Sequence, residues 1–192
     1  IILVGYGDGS DAFLLRVTDK IKSIPKKRGV RDWLNSKKYL TSYAKYLKFR
    51  DLLRKKDGIW PRDPFTSIAY LYREQKQDMG LYGKRCNNCS TVWYPASRVC
   101  YQCGKKDDFS DFKVSRRGKV VTYTIERAIP NPDMPVGMVV VDLQGGGRFL
   151  TQFTDGNAEE LKVGMDVELS LRKYHEAREF NHYFWKARPP RA

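Results

Sequence analysis

The apolar positions of the first seventeen residues run almost without a break. Ile1-Ile2-Leu3-Val4 is apolar and β-branched, Gly5-Tyr6-Gly7-Asp8-Gly9-Ser10-Asp11 is rich in turn formers, and Ala12 to Val17 is apolar again. This predicts two strands around a turn. Near-continuous apolar runs belong to strands covered on both faces, and a lone hairpin cannot supply that cover. The sequence opens at Ile1 in the middle of this run, which reads as a piece of something longer.

The period then changes. Between Asp32 and Lys56, Tyr39, Tyr43, Tyr46, Arg50 and Leu53 recur at three and four, with Leu40, Ala44 and Leu47 beside them. That spacing predicts a helix, with Asn35 or Ser36 as an N-cap within it and Gly58 and Pro61 ending it. Asp63-Pro64 reads as the N-cap and first position of a second helix, whose apolar face is Phe65, Ile68, Leu71 and Tyr72.

From Lys119 the pattern is that of strands. Five candidates follow: Lys119–Ile129, Gly137–Leu143, Arg148–Thr154, Asp166–Tyr174 and Phe180–Ala187. Gly145-Gly146-Gly147 joins the second to the third. One helical turn, Asn157 to Met165, lies between the third and fourth. Five strands with a short helix after the third describe an OB-fold, a small Greek-key barrel; another small β-barrel is the competing pattern.

Chemistry enters with the cysteines. The chain has four, Cys86, Cys89, Cys100 and Cys103, in two Cys-x-x-Cys pairs ten residues apart. Paired soft thiolates at this spacing match the tetrahedral preference of Zn²⁺, and the competing readings are a pair of disulfides or four unrelated core cysteines. A closed four-thiol site leaves none of them free as a nucleophile or as part of an open catalytic centre. So small a ribbon has little core, and Trp93-Tyr94-Pro95 is expected to cover one side of it.

Charge changes the picture less than its size suggests. The 192 residues carry a formal net charge of +14. From Asp19 to Arg62 there are fifteen Lys/Arg against four Asp, a net +11, whereas Gly104 to Ala192 is only +2. The excess therefore sits on the helical segment, not on the barrel. No apolar run is long enough to span a bilayer, and no signal-peptide pattern is present. Thiolates poised for metal fit a reducing compartment, so the cytoplasm is the expected location.

A ribbon feeding a barrel resembles the acyl-CoA-associated zinc-ribbon/OB-fold proteins that accompany thiolase-superfamily enzymes. The resemblance rests on Cys86-Asn-Asn-Cys89, Tyr94-Pro95, Cys100-Tyr-Gln-Cys103-Gly104, Gly118 to Ile125 and Leu161 to Val167, within roughly Pro64 to Arg188. It implies a non-catalytic partner that sits on a thiolase or a 3-hydroxy-3-methylglutaryl-CoA synthase and helps to accommodate CoA esters or organise the complex. Leu3 to Leu15 resembles the C-terminal hairpin of ketoacyl-synthase III and 3-hydroxy-3-methylglutaryl-CoA-synthase-like enzymes. That match makes the Gly9 backbone amide a possible oxyanion-hole donor. Ser10-Asp11 departs from the usual apolar residues, and the catalytic Cys, His and Asn of those enzymes have no counterpart here. The chain reads as the tail of a synthase fusion or as a subunit keeping a remnant of one.

The expectation is thus a mainly β protein with N-terminal helices. It divides into a hairpin at 1–18, a basic helical arm at 19–82, a rubredoxin-like zinc ribbon at 83–106 and a five-stranded OB-fold barrel at 107–192. A CoA surface needs cations, and Arg85, Arg98, Arg116, Arg117, Lys119 and Arg148 lie near the ribbon–barrel junction in sequence. Tyr39, Tyr43 and Tyr46 supply contact area for a partner chain in a hetero-oligomer, with Lys45, Lys48 and Arg50 as steering charge. The rival is a single-stranded nucleic-acid-binding ribbon/OB protein, with Tyr123, Phe149, Phe153 and Trp185 as stacking candidates, although a near-neutral barrel lacks the attraction that binding needs. A standalone enzyme has only His175 and His182 as imidazole bases, read as polar strand surface with no nucleophile at a recognisable spacing.

Overall fold

A computed structural model describes the chain apart from residues 24–28, 36, 38, 41, 51, 54–66, 129–133, 178–179 and 192, and describes only the backbone of 175–177. The chain divides into two units, Ile1–Lys37 and Lys38–Arg191.

In the first unit, β1 (Ile2–Tyr6) and β2 (Ser10–Leu14) pair antiparallel, from Ile2 opposite Leu14 to Tyr6 opposite Ser10. A 3₁₀ turn at Asp19–Ser23 and a short helix α1 (Val30–Asn35) follow. None of these elements buries a residue: Ile2 is 71% exposed and Leu14 84%.

The expected helix from Asp32 to Lys56 is not continuous. Asn35 is the last residue of α1 instead of a cap, and Ser36 lies outside the described residues. The next helix, α2 (Tyr43–Phe49), starts after an extended Ser42 that makes no side-chain capping bond. Asn35 and Ser42 are residue types whose side chains compete with helical backbone bonds. Neither helix buries a face whose packing would offset the cost of nucleation. Gly58, Pro61, Asp63-Pro64 and Phe65 lie outside the described residues. The following helix, α3 (Ile68–Asp78), is capped by Ser67, whose hydroxyl oxygen accepts from the Tyr70 N–H at 3.4 Å. Ile68 and Tyr72 are 76% and 83% exposed, so the expected apolar face is not a buried one; α3 docks through its C-terminal turn instead.

The remaining strands form two sheets. The smaller has the order β4-β3-β5, with β3 (Tyr82–Cys86) between β4 (Val92–Trp93) and β5 (Phe109–Lys113). The strand β5 is absent from the sequence reading. The larger sheet has the order β10-β9-β6-β7-β8, from β6 (Arg117–Glu126), β7 (Val136–Leu143), β8 (Arg148–Gln152), β9 (Asp166–Ala177) and β10 (Phe180–Arg188). Its two edges approach one another: the Thr154 N–H donates to the Ala187 carbonyl at 2.8 Å, and Phe153 bridges Ala187 in parallel. The result is a nearly closed OB-like barrel. Inward residues Val120, Val139, Val141, Phe149, Val167 and Leu169 fill it, and Leu161 beyond the Ala158–Glu160 turn plugs one end.

Glycines weld the ribbon sheet to the barrel. Gly146 and Gly147 adopt φ of +113° and +94°, where a side chain is strained. A Cβ on Gly146 would stand 2.8 Å from Val92 Cβ, and one on Gly147 2.9 Å from Tyr94 Cβ. The β7–β8 turn therefore packs its backbone directly on β4, and the Arg148 N–H donates to the Tyr94 carbonyl at 3.1 Å.

Candidate metal centre and its surroundings

The two cysteine pairs sit on turns of the same construction. In the first, the Cys86 N–H donates to the Thr91 carbonyl at 2.9 Å and the Ser90 N–H to the Cys86 carbonyl at 3.0 Å. In the second, the Cys100 N–H donates to the Lys105 carbonyl and the Gly104 N–H to the Cys100 carbonyl, both at 2.9 Å. Each turn closes through a left-handed residue, Ser90 at φ 58° and Gly104 at φ 71°. Glycine adopts that conformation freely, whereas Ser90 does so at some cost.

The turns bring the four sulfurs within 4.8 Å of one another. The cysteines are free thiols, with Cys86 to Cys103 and Cys89 to Cys100 Sγ separations of 3.6 Å. Cys86 and Cys100 are buried, Cys89 is half-buried and Cys103 is exposed. Trp93, 6% exposed, covers the cluster and meets Phe109 edge to face at 5.9 Å. Phe109 belongs to the unpredicted strand β5, so the cover comes from two strands.

The thiols are not equivalent. Cys89 lies 3.2 Å from the Thr91 hydroxyl, and the side chain and backbone N–H of Thr91 lower its pKa to about 6. A hydrogen bond from the Cys89 backbone favours the Cys86 thiolate, but burial and the adjacent Cys103 thiol outweigh it and push Cys86 up to about 11. Four soft donors at such close quarters fit a tetrahedral ion such as zinc, whose charge would hold all four as thiolates. Cys86, Cys89, Cys100 and Cys103 are the residues that would hold it.

The candidate cations fare differently. Arg98 chelates Asp107 through Nε and Nη2 at 2.8 and 2.7 Å, and Asp107 is thereby held below the usual carboxylate range. Lys119 pairs with Asp166 at 2.8 Å, and Arg148 pairs with Asp142. Arg85 stacks 4.9 Å over the Phe112 ring. Arg116 and Arg117 are exposed and make no side-chain ion pair among the described residues. A cleft of about 170 Å³ at the barrel end is lined by residues including Pro135, Phe153, Thr154, Asn157 and Lys186, and by none of the six candidates.

The stacking candidates of the nucleic-acid reading are mostly structural. Phe149 and Phe153 are 4% and 7% exposed and belong to the core. The Trp185 Nε1–H donates to the Met79 carbonyl at 3.3 Å, leaving only Tyr123 as an exposed ring among the four. His182 is buried, not on the polar surface, and meets Phe180 edge to face at 5.1 Å; the His175 side chain lies outside the described residues. Gly9 sits in the exposed hairpin turn, where its carbonyl accepts from the Gly7 N–H at 2.8 Å. Tyr39, Tyr43 and Tyr46 are 75%, 73% and 41% exposed, and Lys48 and Arg50 are exposed beside a half-buried Lys45.

Sequence reasoning missed three further residues. Gln77, at the end of α3, accepts from the Ala96 N–H through Oε1 at 2.7 Å and from the Tyr94 hydroxyl through its carbonyl at 3.3 Å. Burial then pushes the Tyr94 hydroxyl up, assisted by the Asp78 charge. Asp111, on β5, accepts from Lys84 at 2.7 Å and from Lys76 of α3 at 3.2 Å. Asp155 takes Arg172 at 2.6 Å and Arg191 at 3.1 Å, tying the chain end to the barrel. Only the αL-tolerant Asp155-Gly156-Asn157 turn carried a local signal; Gln77 and Asp111 act across the fold, and nothing near them in sequence marks them. No described helix is long and apolar enough to cross a membrane.

Comparison with known proteins adds the following. The family model for the C-terminal OB-fold domain of ChsH2 matches residues 113–172. A DUF35 domain-containing scaffold protein of Methanocaldococcus jannaschii is 33% identical over 112 residues, covering 57% of this chain and 79% of that protein. A probable enoyl-CoA hydratase alpha subunit of Thermomonospora curvata is 25% identical over 118 residues, 60% of this chain and 37% of that protein. Among solved structures, the Ltp2-ChsH2(DUF35) aldolase aligns with a TM-score of 0.49 at 25% identity, over 66% of this chain and 98% of that one.

Proposed function

Because this chain belongs to the DUF35 domain-containing scaffold proteins, we propose that it is a non-catalytic subunit of an acyl-CoA-processing complex, organising a catalytic chain instead of performing the chemistry. The observation that carries this reading is the commitment of the chain's four thiols to one closed cluster welded to a barrel. No described thiol is left as a nucleophile, and the buried His182 is packed against a ring, not poised at a cleft.

In this reading the ribbon is a structural zinc site, and zinc supplies the cross-link that a core of three buried residues cannot. The barrel then holds the ribbon at a fixed angle, through Gly146 and Gly147, for docking. The catalytic partner is a thiolase or a 3-hydroxy-3-methylglutaryl-CoA-synthase-like chain in a hetero-oligomer. The hairpin 1–18, apolar on both faces and uncovered, is the element that would enter the partner's sheet, with the Gly9 amide as a backbone donor. The shared ligand is a CoA ester. Arg116 and Arg117 are the foremost of the candidate cations, because Arg98, Lys119 and Arg148 are already paired with carboxylates. The likeness to an enoyl-CoA hydratase subunit supports acyl-CoA as the substrate class.

The test is acyl-CoA cleavage or condensation by the purified catalytic chain, with and without this protein. This chain alone should give no turnover, and its addition should change the partner's activity, stability or CoA affinity. Turnover by this chain alone, or a partner indifferent to it on all three counts, would overturn the reading.

A further inference from the structure

The helical stripe written in the sequence is longer than the helix that forms. Tyr39, Tyr43, Tyr46, Phe49 and Leu53 keep a spacing of three and four over fifteen residues, but α2 holds only the seven from Tyr43 to Phe49. Tyr39 and Leu40 on one side, and Leu52 and Leu53 on the other, are described outside the helix. The stripe stays in solvent: Tyr39 is 75% exposed, Tyr43 73%, Phe49 47% and Leu52 64%. A helix of this length is far below the roughly 12–15 residues at which isolated helices become even marginal in water.

The side chains are nevertheless arranged as one strip. The Tyr43 and Tyr46 rings stack with centroids 5.7 Å apart and planes at 21°. The Lys45 ammonium lies 5.8 Å from the Phe49 centroid. In the sequence the strip lies within Asp19 to Arg62, the segment with fifteen Lys/Arg against four Asp.

We propose that residues 39–53 are a helix-in-groove ligand for a protein surface that combines an apolar floor with carboxylate walls, and that the segment becomes one continuous helix on docking. The inference rests on the scaffold reading only in supposing a protein partner. Anchors at i, i+3, i+4 and i+7 on one helix face are how an amphipathic helix enters a groove. Tyrosine gives large contact area on a rigid ring and keeps a hydroxyl for a polar wall, which suits a groove better than the acyl interior of a bilayer. Flanking cations steer such a segment toward an acidic surface and raise the association rate. Single-stranded nucleic acid is the lesser fit, because stacking needs rings set to receive successive bases, and here two of them stack on each other.

The experiment uses the full chain with probes of known surface. Calcium-loaded calmodulin is an acidic protein whose methionine-rich groove opens with calcium, and its calcium-free form keeps the charge without the open groove. Poly-L-glutamate supplies charge alone, and thymidylate oligonucleotide and phosphatidylglycerol vesicles represent the other polyanions. The expected result is calcium-dependent binding, with gained helical circular dichroism and hydrogen-exchange protection gained across 39–53. A Tyr43→Ala/Tyr46→Ala pair should weaken binding about tenfold or more, and a Lys45→Glu/Lys48→Glu pair should do so most at low salt. Since α2 buries no residue, both variants should keep the near-ultraviolet signal of buried Trp93, which separates lost docking from lost folding. Equal binding to calcium-free calmodulin or polyglutamate, tighter binding to oligonucleotide or vesicles, binding without helix gain, or no binding to calcium-loaded calmodulin would each overturn the proposal. None of these probes is an acyl-CoA enzyme, so failure here leaves the scaffold reading to its own turnover test.

Discussion

Tyr94 and Tyr43 are the same residue type in two environments. Tyr94 is 7% exposed, tilted against Phe149 at 5.3 Å and bonded through its hydroxyl to the end of α3. Tyr43 is 73% exposed and touches another exposed ring. The same contrast holds between the regions around them. The buried apolar residues all lie between Leu81 and Ala187, whereas from Ile1 to Leu53 no described residue is buried. Apolar content does not separate the two regions. Closure does: a barrel whose edges meet, and turns that gather four thiols, turn short strands into an interior. The N-terminal stretch carries equally regular patterns, but its described residues stay exposed, as the apolar surface of a contact site does.

The strongest way to break this contrast is to open the ribbon. On the proposed zinc reading, a Cys86→Ser/Cys100→Ser chain should lose metal binding and leave β3 to β5 as unprotected in hydrogen exchange as α2. Zinc modules of this size draw about 10 kcal/mol or more of apparent free energy from the metal. Metal content and the Trp93 near-ultraviolet signal check both halves of the expectation. Next comes the seam where the barrel edges meet, at Phe153. Phe153→Ala should cost about 3–5 kcal/mol, read as a lower urea midpoint. Tyr94→Phe removes only the bond to the Gln77 carbonyl and should cost about 1 kcal/mol by the same measurement. Tyr43→Ala, by contrast, should leave stability within about 0.5 kcal/mol, since it removes no buried contact.

The smallest effect is electrostatic. Hydrogen bonds from Lys84 and Lys76 hold the Asp111 carboxyl below its ordinary value. A depressed folded pKa stabilises the fold above the unfolded pKa of about 3.9 and loses that contribution as pH falls through the lower folded value. Acid unfolding of Asp111→Asn should therefore lack this part of the decline, with neutral-pH stability lowered by no more than about 1 kcal/mol because the Asp111 carboxyl still meets solvent.

Much of the body was legible because its signals are local. Each cysteine pair carries its own turn, and the alternation in β6 to β10 marked each strand to within a few residues at the N-terminal end. The strand β5 was not legible. Phe109-Ser-Asp-Phe-Lys is short and half polar, and its pairing with β3 supplies the reason to be extended. The broken helix misled in the opposite direction: its periodicity is real, but periodicity describes a face and not the contact that would fix it. Phe149 and Phe153 looked like stacking rings because sequence alone does not say which side of a barrel strand faces inward.

By itself the sequence determined the set of four paired cysteines, the strand count of the barrel and the charge of the N-terminal segment. These depend on residue type and short-range spacing. Only the tertiary structure decided which cations are already neutralised, that β5 and Phe109 complete the cover of the four thiols, that Gln77 fastens α3 to the ribbon, and that the tyrosine stripe lies open. Each of these is settled by residues far apart in the chain, and local propensity carries no record of which distant surface a side chain will meet.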